Sequence, residues 1–284
     1  MSSSSEGQWL CAGRFAFRAP DSMRVVGRTA SMYRTNVDVI PMTQGGIDGY
    51  WSARLAAIAL TQPLVPRRVA LSGGTLGVWY RSNRAFPNVL TLEVAKPLDR
   101  AIVVATREGE AGKEAVGEEL AADIVNAYVP NAERGFCVGG GSIVLEPSQN
   151  EHARIALETP SEPAIEIRVE TQTVREPETS AYANTDEDEE IARRHGGTLT
   201  SLRDAQRVIA NMPGKELWVS AAVPGEPPML RYSWHHPGES GSSARPSVTV
   251  VGSARTSQRA ALEAAWEAIL GSMRAIPLPP AERK

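Results

Sequence analysis

The chain has 284 residues, 42% hydrophobic and 22% charged, which is too apolar for a disordered chain and long enough for two packed cores. A formal net charge of −3, with no run of Lys or Arg longer than two, excludes the basic face that a nucleic-acid partner requires. No stretch reaches the roughly 18 apolar residues of a membrane-spanning helix, and Met1 to Glu6 is a serine run without the basic and apolar regions of a signal peptide, so no leader is expected here.

Trp9 to Phe17 alternates weakly and predicts one strand, ending at the turn signature Arg18-Ala19-Pro20-Asp21. Met23 to Ile40, rich in Val and Thr and free of proline, predicts one or two more. The period then changes. Ile47, Trp51, Leu55 and Ile58 fall on one face of a helix that Pro63 and Pro66 stop. Val69 to Arg107 reads as strands again, with turns at Gly73-Gly74, Asn83 and Pro97-Leu98-Asp99. Val116, Leu120, Ile124 and Tyr128 recur every four residues and predict a second helix, with Glu118-Glu119 facing outward and Pro130-Asn131 ending it.

Beyond Pro130 the pattern starts over. Phe136-Cys137-Val138 enters a strand, Gly139-Gly140-Gly141 bends it, and Ile143-Val144-Leu145 continues. Ile155-Ala156-Leu157 is another strand. Ala164 to Thr171 alternates, with Ile165, Ile167 and Val169 inward and Glu166, Arg168 and Glu170 on a wet face. Thr185 caps a charged helix start over Asp186 to Arg194. Strands follow at Glu216 to Val223, Met229 to Trp234 and Pro246 to Val251. A last helix, Ser257 to Met273, carries the stripe Leu262, Trp266, Ile269 and Met273. Each half reads as strands, helix, more strands, closing helix. The expected fold is α+β, with two similar lobes, each a mostly antiparallel sheet packed with helices: domains 1–130 and 131–284.

The search for chemistry finds no catalytic set. Gly-x-Ser-x-Gly does not occur, and the nearest string, Gly238-Glu239-Ser240-Gly241, reads as a polar surface loop. His152, His195, His235 and His236 form no His-Glu-x-x-His motif, and adjacent residues on a strand point to opposite faces, so no metal site is expected. Cys11 and Cys137 fit no zinc or redox spacing and read as two small buried hydrophobes, with a pairing left open. The triple glycine and Gly214-Lys215-Glu216 lack the context of a phosphate loop and read as turns or bulges, so no cofactor is expected. Two segments stand out as surfaces for a protein partner. Asp186-Glu187-Asp188 heads the densest charge run, against a plain reading as a solvated helix start. The stretch from Trp234 through His235, His236 and Glu239 to Arg245 is turn-rich, against a plain reading of Trp234 as core.

Several strings resemble one family. Cys11-Ala12-Gly13-Arg14-Phe15 before Arg18-Ala19-Pro20 looks like its opening strand. Gly135-Phe136-Cys137-Val138-Gly139-Gly140-Gly141 resembles the start of its C-terminal domain. Asn211-Met212-Pro213-Gly214-Lys215-Glu216 resembles a Gly-x-x-Gly-x-Glu pattern before a strand, with Asn211 in place of the usual glycine. Trp234, Gly238 and Pro246 complete the order. The family is that of immunity proteins against type VI secretion lipases. The resemblance implies two α/β lobes in a claw-like arrangement that bind a cognate secreted lipase or phospholipase and block its active site or its opening. It implies no turnover, one chain per effector, and action in the periplasm, with the cytoplasm as the alternative for a chain without a leader. The rival readings are a hydrolase with an unfamiliar site and a general cell-envelope binding module.

Overall fold

The computed structural model describes residues 7–61, 66–81, 86, 88–148, 150–177, 190, 193–194 and 196–279. The expected turn at Asn83 and the helix start at Asp186 lie outside the described residues. In chain order come β1 (Gln8–Ala12), β2 (Phe15–Ala19), β3 (Arg24–Met32), β4 (Thr35–Pro41) and α1 (Gly46–Thr61). Next are β5 (Arg67–Ala70), β6 (Leu76–Tyr80), β7 (Val89–Pro97), β8 (Ala101–Glu110) and α2 (Glu114–Asn126). Then follow the short β9 (Tyr128–Pro130), β10 (Phe136–Val138) and β11 (Gly141–Ile143). The remainder is β12 (His152–Glu158), β13 (Glu166–Gln172), β14 (Thr198–Ile209), β15 (Met212–Ala222), β16 (Met229–His236), β17 (Ser247–Arg255), α3 (Arg259–Ser272) and β18 (Arg274–Ala275).

The chain forms two compact units. The first takes the chain up to Arg28 together with Pro147–Pro277, and the second takes Thr29–Glu146 with the residues after Pro277. This differs from the expected boundary at Pro130. The reason is tertiary: the β1–β2 hairpin buries Phe15 and Phe17, β2 packs on α3, and Arg14 at its tip pairs with Glu151, so the N-terminal strands belong with the C-terminal sheet.

In the first unit, β14-β15-β16-β17-β13-β12 form an antiparallel sheet. The alternation legible in the sequence sorts its faces. Ile155, Leu157, Ile167, Val169, Val250, Leu230, Tyr232 and Trp234 are buried. The stripe expected on α3 (Leu262, Trp266, Ile269 and the following Met273) is buried as well. Trp266 meets Tyr232 edge-on at 5.9 Å, and Tyr232 stacks on Trp218 at 4.2 Å, a geometry aromatic pairs favour. A separate three-stranded sheet, β1-β2-β18, completes this unit. The single strand expected over Trp9 to Phe17 is thus two, because Gly13 (φ 57°) allows a reversal there.

In the second unit the end of β3 pairs with β4, and β4-β8-β7-β6-β5 continue antiparallel. Helix α1 presents the expected Trp51 and Ile58, and Trp51 packs with Val78, Ala95, Ile102 and Val104. Helix α2 follows the expected stripe in part: Ile124, and Tyr128 just beyond the helix, are buried, but Val116 is not. Val116 is 73% exposed, while Gly117, Ala121, Ala122, Ile124 and Val125 turn inward. The buried stripe is thus rotated from Val116 to Gly117, with Ala121, Ala122, Ile124 and Val125 following it at helical spacing. Glu118 also does not face free solvent: it accepts a hydrogen bond from Trp79 Nε1 at 2.7 Å. Neither Cys11 nor Cys137 is a free thiol, so the reading as plain buried hydrophobes gives way.

A buried cluster ties α1 to this sheet. Glu93 accepts hydrogen bonds from Tyr50 Oη (2.6 Å), Arg54 Nε (2.8 Å) and Tyr80 Oη (3.2 Å). Burial, with the Glu93 charge, pushes the Tyr80 phenol up to about 12 and Tyr50 further still. In an unfolded chain both ionise near pH 10. Their contribution to stability is therefore full below that pH and is lost as pH rises through the folded value. Titration followed by phenolate absorbance should leave these two phenols neutral at about pH 11. Ionisation of every tyrosine near pH 10 with the fold intact would contradict this.

Candidate functional site

The motifs behind the family resemblance have structural work. Gly13 takes a positive φ, and Arg14 Nε and Nη2 donate to Glu151 Oε2 and Oε1 at 2.8 and 2.6 Å, with both side chains buried. Ala210 and Asn211 form the two-residue loop of the β14–β15 hairpin with φ of 49° and 64°, the left-handed pair of a type I′ turn. Asn tolerates that region, which is why it stands in the place of a glycine. Asn211→Gly should change stability by a few tenths of a kcal/mol, and Asn211→Val should cost about 1–2 kcal/mol in urea unfolding. A Cβ on Gly214 would lie 2.7 Å from the Trp234 ring, so the backbone there needs glycine. Glu216 is wholly buried, pairs with Arg203 and Arg207 at 2.9 Å each, and accepts from Trp266 Nε1 at 2.8 Å. Arg207 also grips Glu267 through both terminal nitrogens, which holds that carboxyl below the usual range.

The expected contact residues divide. Asp186, Glu187 and Asp188 lie outside the described residues. Trp234, His235 and His236 are buried, and this corrects their reading as exposed contacts. Strand β16 runs to His236 in the middle of its sheet, so Trp234 fills the core with Nε1 donating to Arg207 O at 3.1 Å. His235 Nδ1 meets Thr249 Oγ1 at 3.0 Å across the strand pair, and His236 Nδ1 meets Pro213 O at 2.8 Å. Glu239 and Arg245 are exposed and form an ion pair with each other. Their loop is pinned: Glu239 N donates to Arg245 O, Gly241 N to Val174 O, and Ser243 Oγ to Ser148 O, each at 2.8 Å.

The wet face of the first unit's sheet is a second candidate surface. Register places Glu158, Glu166, Ser253 and Arg231 in one row, and Ala156, Arg168, Val251 and Ser233 in the next. A depression of about 440 Å³ opens there, lined by Arg154, Arg168, Arg231, Glu158 and Glu166 around small side chains. Arg24 pairs with Glu158 at 2.7 Å on its rim, and His152 meets Glu170 at 3.1 Å. Fixed charges of both signs on a rigid sheet suit recognition of a protein surface. The alternation of Glu166, Arg168 and Glu170 had marked this face as wet, but Arg231 and Arg154 come to it only through strand pairing. Among the described residues no three His, Cys, Asp or Glu side chains gather as metal ligands would.

A family model described as the C-terminal domain of Tle cognate immunity protein 4 matches residues 129–277. A sequence search of curated proteins found no match. The fold resembles solved structures over nearly the whole chain. The apo immunity protein TplEi of the type VI secretion system from Pseudomonas aeruginosa is 16% identical, with a TM-score of 0.75, covering 95% of this chain and 97% of that one. The Tle4-Tli4 complex gives 15% identity and a TM-score of 0.77, covering 98% of this chain and 100% of that one. TplEi bound to an "L" peptide gives 18% and 0.74, covering 97% and 100%.

Proposed function

The chain belongs to the Tle cognate immunity protein 4 family, and from that premise we propose that it binds a cognate lipase effector of a type VI secretion system and blocks it by steric occlusion. The observation that carries this reading is the family match over 129–277, in a chain whose fold follows an immunity protein solved with its effector. The mechanism is contact alone. An inhibitor-type interface buries roughly 1,200–2,000 Å², and a rigid sheet with fixed charges keeps the ordering cost of binding low. The reading includes one chain per effector and action in the periplasm, where such a toxin would meet its substrate. No helix among the described residues is long and apolar enough to cross a membrane.

Contact residues in this proposal are the exposed Glu239 and Arg245, the acidic run Asp186-Glu187-Asp188, and the charged depression around Arg168 and Arg231. The test is co-purification with the type VI lipase effector of the same genome: a 1:1 complex on size exclusion is expected, and two separate peaks at micromolar concentration would end the reading. Reversing the charges of Asp186, Glu187 and Asp188 together should weaken the complex about tenfold or more, as measured by calorimetry. Unchanged affinity removes that segment from the interface.

A further inference from the structure

The sheet β1-β2-β18 has an inward face and an outward one. Leu10, Phe15, Phe17 and Ala19 turn inward. Register sets Trp9 opposite Arg18 and Arg274 opposite Ala16, so Trp9, Arg18 and Arg274 share the outward face. Trp9 is 42% exposed. The Arg18 and Arg274 guanidinium carbons lie over its ring, 5.0 and 4.2 Å from the centroid. The Arg18 backbone N–H donates to Ser272 Oγ at 2.8 Å, which fastens this patch to the end of α3.

A guanidinium over an aromatic ring uses its flat face and leaves its N–H donors in plane. Among the described residues no ion pair engages either Arg18 or Arg274, whereas Arg14, Arg24, Arg203 and Arg207 in the same unit each hold a carboxylate. Two positive charges are thus held on an exposed tryptophan with their donors available to a partner. Stacking also restricts their rotamers before any partner arrives. Trp and Arg are the side chains that most often dominate protein interfaces. Beside them an open groove of about 500 Å³ runs along Ala261, Ala264 and Ala268 of α3, with Arg18 on its rim, and these small side chains leave room for an apolar one.

We propose that Trp9, Arg18 and Arg274 anchor an acidic segment of the cognate effector, which presents carboxylates to the two guanidinium groups and an apolar side chain to the alanine groove. This rests on the immunity reading above. It adds a contact to which the N-terminal strands contribute two of the three residues, outside the region matched by the family model.

The full-length chain, its Arg18→Glu/Arg274→Glu and Trp9→Ala variants, and Arg18→Lys/Arg274→Lys would each be titrated against the purified type VI lipase effector of the same genome at low and high salt. Expected are a loss of about 100-fold for the charge reversal, about tenfold for Trp9→Ala, and an intermediate loss for the lysine pair, which keeps charge but not the bidentate geometry. Salt should weaken the unaltered chain more than the reversed one. Unchanged thermal unfolding shows that the variants fold; a destabilised reversal leaves the lysine pair and the salt dependence as readouts. Equal affinities across folded variants overturn this inference alone, while no binding by the unaltered chain overturns the immunity reading and this inference with it. Self-association of the unaltered chain, abolished in the variants while lipase affinity stays the same, would assign the patch to a second copy and also overturn it.

Discussion

Replacing Arg14 with methionine is expected to lower stability by about 3–5 kcal/mol in urea unfolding. Arg14 and Glu151 are 3% and 4% exposed, and the guanidinium meets the carboxylate through two hydrogen bonds. Glu151 also accepts the Ser148 backbone N–H at 2.9 Å, so its charge is fixed in place and cannot turn to solvent cheaply. Removing the arginine alone leaves that carboxylate uncompensated, which is the costly way to break a buried pair. The paired substitution Arg14→Met/Glu151→Leu removes both charges and should be clearly less harmful than the single one. A single variant as stable as the unaltered chain would show that the pair is not the fastening between hairpin and sheet.

Glu216→Ala is expected to cost about 3 kcal/mol. The carboxylate is the common partner of Arg203, Arg207 and Trp266, and its loss leaves the indole N–H and two guanidinium groups without their acceptor. Arg203 is 42% exposed and can turn to water, which keeps the cost near the lower end for a buried network. Arg207 retains Glu267. Glu216→Gln preserves an acceptor for Trp266 and should lose roughly half as much. Tryptophan emission should shift to longer wavelength in the alanine variant as water reaches the indole; no shift and no loss of stability would argue against the network.

How much of this was legible in the sequence depends on the range of the forces involved. Local periodicity found α1, α3 and β13, because burial on one face is written at a spacing of three to four or of two residues. On α2 it placed Ile124 inward correctly but not Val116, because the buried stripe begins at Gly117 and runs through Ala121 and Ala122, small residues that give little apolar signal. It missed β14 entirely: Thr198–Ile209 is an exposed edge strand with little apolar signal, held by its hairpin partner β15. The exchange of the N-terminal hairpin into the C-terminal unit depends on contacts 137 residues apart, such as Arg14 with Glu151, which no local pattern encodes.

The candidate contacts show the same divide. Trp234 was singled out for its position before a turn, but a central strand buries it. Glu239 and Arg245 stand out for polarity in a turn-rich stretch, and both are exposed, whereas the polar His235 and His236 on the strand before them are buried. The motifs that made the chain recognisable (Gly13-Arg14, Asn211, Gly214 and Glu216) turn out to fix turns, close approaches and buried pairs. Family resemblance here follows the requirements of the fold, while of the three proposed anchors Trp9 and Arg274 lie outside those strings and Arg18 opens the Arg18-Ala19-Pro20 turn.

The most direct measurement is hydrolysis by the cognate lipase effector at a fixed concentration well above the dissociation constant, with increasing amounts of this protein. Occlusion predicts a linear fall in rate to the uncatalysed background at one equivalent, with no further change beyond it. A lipase that keeps its full rate when saturated with this chain would contradict the account.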